Sequence, residues 1–97
     1  MTGVSGPGPD LTVEKRILLH LHKYSHTYQD AWEVPNAMSQ EGISEALEIL
    51  LNNVSRAVKD LKTEGKVTER LAHIKGGRRK RRAYFLTEEG TRLAEEI

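Results

Sequence analysis

Apolar positions recur at helical spacing in four stretches of the chain and take on a strand-like texture in two more. In "DLTVEKRILLHLHKYS", Val13, Ile17, Leu21 and Tyr24 stand at i, i+4, i+8 and i+11, with Leu18 widening the stripe. That pattern predicts an amphipathic helix, with Asp10 or Thr12 as its cap. Residues 25–38, "SHTYQDAWEVPNAM", break the period. Pro35 disfavours helical backbone at Val34 and predicts an extended link, with Trp32 and Val34 folded back on the core. Ser39 is placed to cap a second helix, "SQEGISEAL", whose first-turn Glu41 suits the positive end of the helix dipole and whose Ile43 and Leu47 share a face. A third helix is expected over residues 51–64, with Val54, Ala57, Val58 and Leu61 inward and Gly65 as a left-handed stop.

Past Gly65 the texture changes. "KVTERLAHIK" and "RAYFLT" are short and rich in β-formers, and "GGRRK" separates them, so they read as a hairpin. The alternation is imperfect. Val67 and Leu71 fall on one face and Ile74 on the other, which leaves the inner face open. Thr87, followed by Glu88 and Glu89, then opens a fourth helix edged by Leu93, Ala94 and Ile97. That edge reaches the last residue without a Gly or Pro stop, so the helix is expected to continue in a longer protein of which this chain is an N-terminal domain. The predicted order is helix, helix, helix, strand, basic loop, strand, helix. The second and third helices have the short joint of a helix-turn-helix.

Composition narrows the possibilities. With 97 residues, 37% hydrophobic and 30% charged, the chain suits one small globular domain, residues 11–97. "MTGVSGPGPD", residues 1–10, has neither a basic head nor an apolar stretch, so it reads as a disordered leader or cloning remnant rather than a signal peptide. The absence of cysteine excludes a disulfide scaffold and a thiolate zinc site and leans towards a reducing, cytoplasmic setting. No apolar run approaches the roughly 20 residues that span a bilayer. Gly76-Gly77 precedes basic residues rather than a helix start, and no nucleophile–base set or paired carboxylates stand in an evident pocket. Neither an enzyme nor a bound cofactor is expected. Of His20, His22 and His26, only the last two have i, i+4 spacing, and no carboxylate or thiol completes a set, so no metal site is expected.

The net charge of +1 conceals an asymmetry. Lys75, Arg78, Arg79, Lys80, Arg81 and Arg82 carry six of the 15 basic residues, and no acid lies among them. The rest of the chain holds nine basic residues against 14 acidic, a net −5. Five consecutive cations repel one another, and a polyanion relieves that repulsion. Held at a hairpin tip, the run would lie along phosphates and reach a minor groove, where Arg is favoured in narrow A·T segments.

"GISEALEILLNNVSRAVKDLKTEGKVTER" and "HIKGGRRKRRAYFLTEEG" resemble a winged helix-turn-helix domain, broadly similar to the MarR-like regulators and most like winged-helix modules at the N-termini of archaeal proteins. The matching positions are Ile43, Ser44, Leu47, Ile49, Val54-Ser55-Arg56, Leu61, Gly65 and Val67, and the likeness spans residues 11–97. It implies an α+β fold: a three-helix core, a β-hairpin wing and a C-terminal helix. It also implies double-stranded DNA as partner, with helix 51–64 in the major groove and wing 75–82 on backbone and minor groove. Two positions depart from the pattern. Glu48 stands where the turn often has Gly, at a cost of about 1 kcal/mol if that backbone is left-handed. Leu50 replaces the usual Ser or Thr cap, which leaves Asn52 as a substitute cap.

At 100° per residue, Asn52, Asn53, Arg56, Lys59 and Asp60 lie mostly outward on the third helix, with Ser55 nearer the boundary and Asp60 toward the end away from DNA. Asn can pair with adenine and Arg with guanine. The candidate contacts are therefore Asn52, Asn53, Ser55, Arg56 and Lys59, together with Lys75, Arg78, Arg79, Lys80, Arg81 and Arg82. The rival functions are a protein-interaction winged helix, with the wing on an acidic partner, and a structured-RNA binder. In similar regulators the last helix joins a dimer interface, so self-association is expected to need a longer C-terminal region, and this piece alone to be monomeric or weakly dimeric.

Overall fold

The computed structural model describes residues 11–97, so the expected leader and the alternative cap Asp10 lie outside the described residues. Helix α1 spans Val13–His22, and the Thr12 hydroxyl caps it by accepting from the Lys15 amide. Its stripe buries Ile17, Leu18 and Leu21. A four-residue helix α2, Ser25–Tyr28, follows and leads into strand β1, Glu33–Val34. A 3-10 turn, Asn36–Met38, then delivers the chain to helix α3, Gln40–Leu47. Helix α4 spans Leu51–Thr63, strand β2 Val67–Ile74, strand β3 Lys80–Leu86 and helix α5 Glu88–Glu96. This is the expected α+β winged helix-turn-helix, with a short helix and a third strand added between α1 and α3.

The sheet order is β1-β2-β3, with β1 parallel and β3 antiparallel to β2. The hairpin register runs unbroken from Val67 opposite Leu86 to His73 opposite Lys80. Strand alternation therefore puts Val67, Tyr84 and Leu86 on one face and Ala72, Ile74, Ala83 and Phe85 on the other. Both faces are covered, which resolves the conflict between Val67 and Ile74. The first face meets α1, α3, α4 and α5 in one apolar cluster with Ile17, Leu21, Ile43, Val54, Val58 and Leu61. The second meets Val34 and Met38, with Tyr24, Tyr28 and Ala31 at its margin. Leu71 lies on the first face beyond the reach of the helices and is 62% exposed.

One core expectation fails. Val34 is fully buried, but Trp32 is 68% exposed. The parallel pairing of Val34 with Ile74 directs Val34 into the second cluster, whose space Met38 and the α2 tyrosines fill.

The joint between α3 and α4 is tight. Glu48 adopts φ 56°, ψ 47°, the left-handed conformation that usually falls to glycine. The Ser44 carbonyl accepts from the Glu48 and Ile49 amides, and the Ser44 hydroxyl donates to the Ile49 carbonyl. These bonds satisfy the helix end and hold a strained residue. Replacing Glu48 with Gly removes the Cβ strain and is expected to raise stability by roughly 0.5–1 kcal/mol, or a few degrees in Tm. Thermal unfolding of the E48G variant checks this, and an unchanged or lowered Tm would contradict it.

His20 lies in the core at 4% exposure, and its Nε2–H donates to the Ala37 carbonyl at 2.8 Å. Burial pushes its pKa below the ordinary histidine value, and the Ala37 bond opposes that shift only in part. A depressed native pKa means that the unfolded chain binds more protons. The stabilisation from neutral His20 is therefore complete above the unfolded pKa and declines as pH falls through it. Denaturant midpoints from neutral pH down to the carboxylate range should fall less steeply for His20→Gln, which keeps a donor without the titration. Equal slopes in both proteins would exclude His20 as the source.

Candidate nucleic-acid interface

The outward side of α4 is set by what its inward side buries. Val54, Ala57, Val58 and Leu61 face the core. Asn52, Asn53, Arg56 and Lys59 are exposed as a result, in the arrangement expected from helical spacing. Ser55 is only half-buried, and its hydroxyl donates to the Gln40 side-chain oxygen. The Gln40 amide in turn donates to the Tyr84 hydroxyl at 2.7 Å. Ser55 thus acts first as the end of a polar chain from β3 through α3 to α4. Burial raises the Tyr84 pKa, the Gln40 bond opposes this, and the phenol stays neutral.

The start of α4 differs from expectation. Asn52 does not cap it. Leu50, in extended backbone, is the capping residue and offers no side-chain acceptor. The Leu50 carbonyl accepts from the Asn53 and Val54 amides, so the helix begins at Leu51, two residues earlier than an Asn52 cap would start it. The Leu51 and Asn52 amides find no acceptor among the described residues. Leu50 and Leu51 are exposed beside them, at 74% and 43%. Large aliphatic groups next to Asn52 and Asn53 can meet a thymine methyl. Sequence reasoning misses this candidate contact because it treats Leu50 only as a missing cap. The other end of α4 is acidic. Glu14 of α1 has a raised pKa, first through burial and then through Glu64 and Asp60. Lys62 and Lys66 at this end are paired with Glu69 and Glu64, and the helix dipole favours the N-terminal half for an anion.

The basic run divides into three. Lys75, Arg78 and Arg79 are exposed at the hairpin tip and have no acidic partner among the described residues. The chain turns there through Gly76, whose φ of 82° suits glycine. Lys80 lies over the Trp32 ring, with Nζ 5.3 Å from the ring centroid. Arg81 and Arg82, on opposite faces of β3, are tied inward. Arg81 reaches Glu41, in the first turn of α3, at 3.1 Å. Arg82 lies 3.6 Å from Glu69, which also holds Lys62 of α4 at 3.2 Å. Both pairs are solvent-exposed at the arginine, so each stabilises by a fraction of a kcal/mol to about 1 kcal/mol. That is enough to orient the arginines but not to remove them permanently from an approaching phosphate. Sequence reasoning misses Glu41 and Glu69 in this role because one contact forms only once α3 packs against β3 and the other only once the strands pair.

The histidines do not converge. His20 is buried, His22 ends α1, and His26 sits in the separate helix α2. His22 faces Glu95 at 3.5 Å. No group of three or more metal-ligating side chains occurs among the described residues. No helix among them is long and apolar enough to cross a membrane.

No family model matches the sequence, and no curated protein matches it significantly. Solved structures do share its architecture. MepR of S. aureus in complex with DNA superposes with a TM-score of 0.65 at 21% identity, covering 92% of this chain and 56% of that one. A cysteine-to-serine mutant of Lactococcus lactis ZitR gives 0.65 at 22%, covering 99% and 56%. The zinc-dependent MarR-family transcriptional regulator AdcR, in its Zn(II)-bound state, gives 0.58 at 23%, covering 99% and 56%. The chain spans a little over half the length of these structures. At such identities the likeness concerns the fold, which is the winged helix-turn-helix that these regulators share.

Proposed function

We propose that this chain is a double-stranded-DNA-binding module, sequence-specific, that serves as a transcriptional regulator or the DNA-binding part of one. Helix α4 enters the major groove with Asn52, Asn53 and Arg56, and Lys59 meets the flanking backbone. The wing tip lies on phosphates and the adjoining minor groove. One observation carries this reading: an exposed Asn-Asn-Arg row on α4 stands in the same fold as a hairpin tip bearing three cations without an acidic partner among the described residues. Its fold is also that of MepR, a protein captured in complex with DNA. The reading is of a binding protein rather than an enzyme, acting in the cytoplasm. Two-fold DNA sites would require two copies, joined through a longer C-terminal region.

Ion pairing supports a division of the cations proposed to meet phosphate. Arg56, Lys59, Lys75, Arg78 and Arg79 are exposed without an acidic partner among the described residues, whereas Arg81 and Arg82 are engaged internally. Five released counterions give a slope of log K against log salt of about −4 to −5. Glu41→Gln frees Arg81 and should make that slope steeper by about one. A slope near zero in the native chain would remove the nucleic-acid reading.

Base reading and backbone contact separate by mutation. Arg79→Ala should weaken binding to all duplexes alike and flatten the salt slope. Arg56→Ala should relax preference at one base pair at a cost of about 1 to 3 kcal/mol. Uniform loss in both variants, measured on a panel of duplexes, would make the module a nonspecific binder.

A further inference from the structure

The chain's single tryptophan stands outside both apolar clusters. It is nevertheless held in place. The His73 ring lies nearly parallel to the indole, with centroids 5.5 Å apart and an interplanar angle of 11°. The Trp32 carbonyl accepts from the His73 amide at 3.3 Å. Lys80, directly opposite His73 in the hairpin register, places its ammonium over the same ring. His73 also faces Glu33 at 3.8 Å. Trp32 as a residue is 68% exposed, more than an indole covered on both faces would allow, so one face is taken as open. Exposed Leu71 and Arg82, paired across the strands, lie on the same sheet face as His73 and Lys80. The result is an ordered, open aromatic face bordered by an aliphatic side chain and two cations of the wing.

We propose that Trp32 is a stacking platform for an unpaired nucleobase, with Lys80 and Arg82 on the flanking phosphates and Leu71 against the sugar. The phosphate part rests on the nucleic-acid reading above, and the base is the addition. Bases inside a duplex present only their edges, because their faces are stacked on one another. An exposed indole face can take up only a base that has left the stack, as in an overhang, a gap or an extruded nucleotide. Every base has such a face, so the site tolerates sequence, and the neighbouring cations supply the charge that single strands require. An acidic peptide is the competing occupant. Peptide anchors, however, occupy desolvated pockets ringed by other side chains, and Trp32 stands clear of such a ring. The patch is also continuous, through Lys80, with the exposed cations at the wing tip.

Because the chain has one tryptophan, its fluorescence reports this site alone. The intact chain is titrated with a blunt duplex, with the same duplex carrying a short oligothymidine overhang, and with the oligothymidine alone. The overhang should tighten binding by about tenfold and quench the emission. Trp32→Ala should abolish the gain while leaving blunt-duplex affinity unchanged, and Trp32→Phe should retain part of it. Absence of both gain and quenching overturns the platform even if the blunt duplex binds with the expected salt slope. Quenching by oligothymidine without any duplex binding would sustain the platform and sink the duplex reading. Quenching by an acidic aromatic peptide, but not by oligothymidine, would assign the patch to protein recognition and overturn the proposal.

Discussion

Strand β3 is buried on both faces at its base and on neither at its tip, and the rest of the molecule is arranged around that change. In "KRRAYFL", Tyr84 and Leu86 enter the cluster formed with the helices, while Ala83 and Phe85 enter the cluster behind the sheet. One strand thus forms the shared wall of two small cores. Neither core alone buries much surface in a chain of 97 residues. A wall filled from both sides is stiff, because displacement towards either face opens a cavity or a clash. Lys80, Arg81 and Arg82 precede this wall in the same strand and extend directly from it. The abrupt passage from charged to apolar at Arg82-Ala83 marks the point where wing becomes core.

Polar contacts then fix the wing relative to the helix-turn-helix. The chain from Tyr84 through Gln40 to Ser55 joins β3, α3 and α4 on one side. Glu69 joins Arg82 to Lys62 near the other end of α4. The ion pairs through Glu69, exposed at Arg82 and Lys62, contribute little stability. Their effect is to reduce the number of relative orientations that the two DNA-facing elements sample, which lowers the ordering cost when both meet one duplex. The acids also divide the run of six cations, orienting Arg81 and Arg82 along the hairpin, while Lys75, Arg78 and Arg79 have no acidic partner among the described residues.

Much of this is legible in the sequence because it is periodic or local. The stripes of α1 and α4, the Ser39 and Thr87 caps, and left-handed Gly65 follow from spacing and residue type, and the structure places them as expected. Glu48 shows the reverse relation: the departure is visible, and the left-handed backbone is present regardless. What escapes is non-local or short. A four-residue helix and a two-residue strand carry too few turns or alternations for a period to show. Hydrophobicity alone assigns Trp32 to the core, by a rule that holds in one direction only. Pairing of Val34 with Ile74 decides its position, and that register is not written in residues 25–38. At the candidate interface, the outward row of α4 is readable from its buried row, whereas the ion pairs that sort the wing cations exist only after folding.

The central account is that α4 and the wing tip engage one duplex together from a frame that does not itself rearrange. Residue-by-residue amide NMR shifts, recorded as random duplex DNA or duplex RNA is added, address it directly. The account predicts saturable shifts at residues 50–59 and 75–79 at the same DNA concentrations, with α5 and the strand bases unmoved and a weaker response to RNA. Shifts confined to the wing, a stronger response to RNA, or perturbation centred on α5 would contradict it.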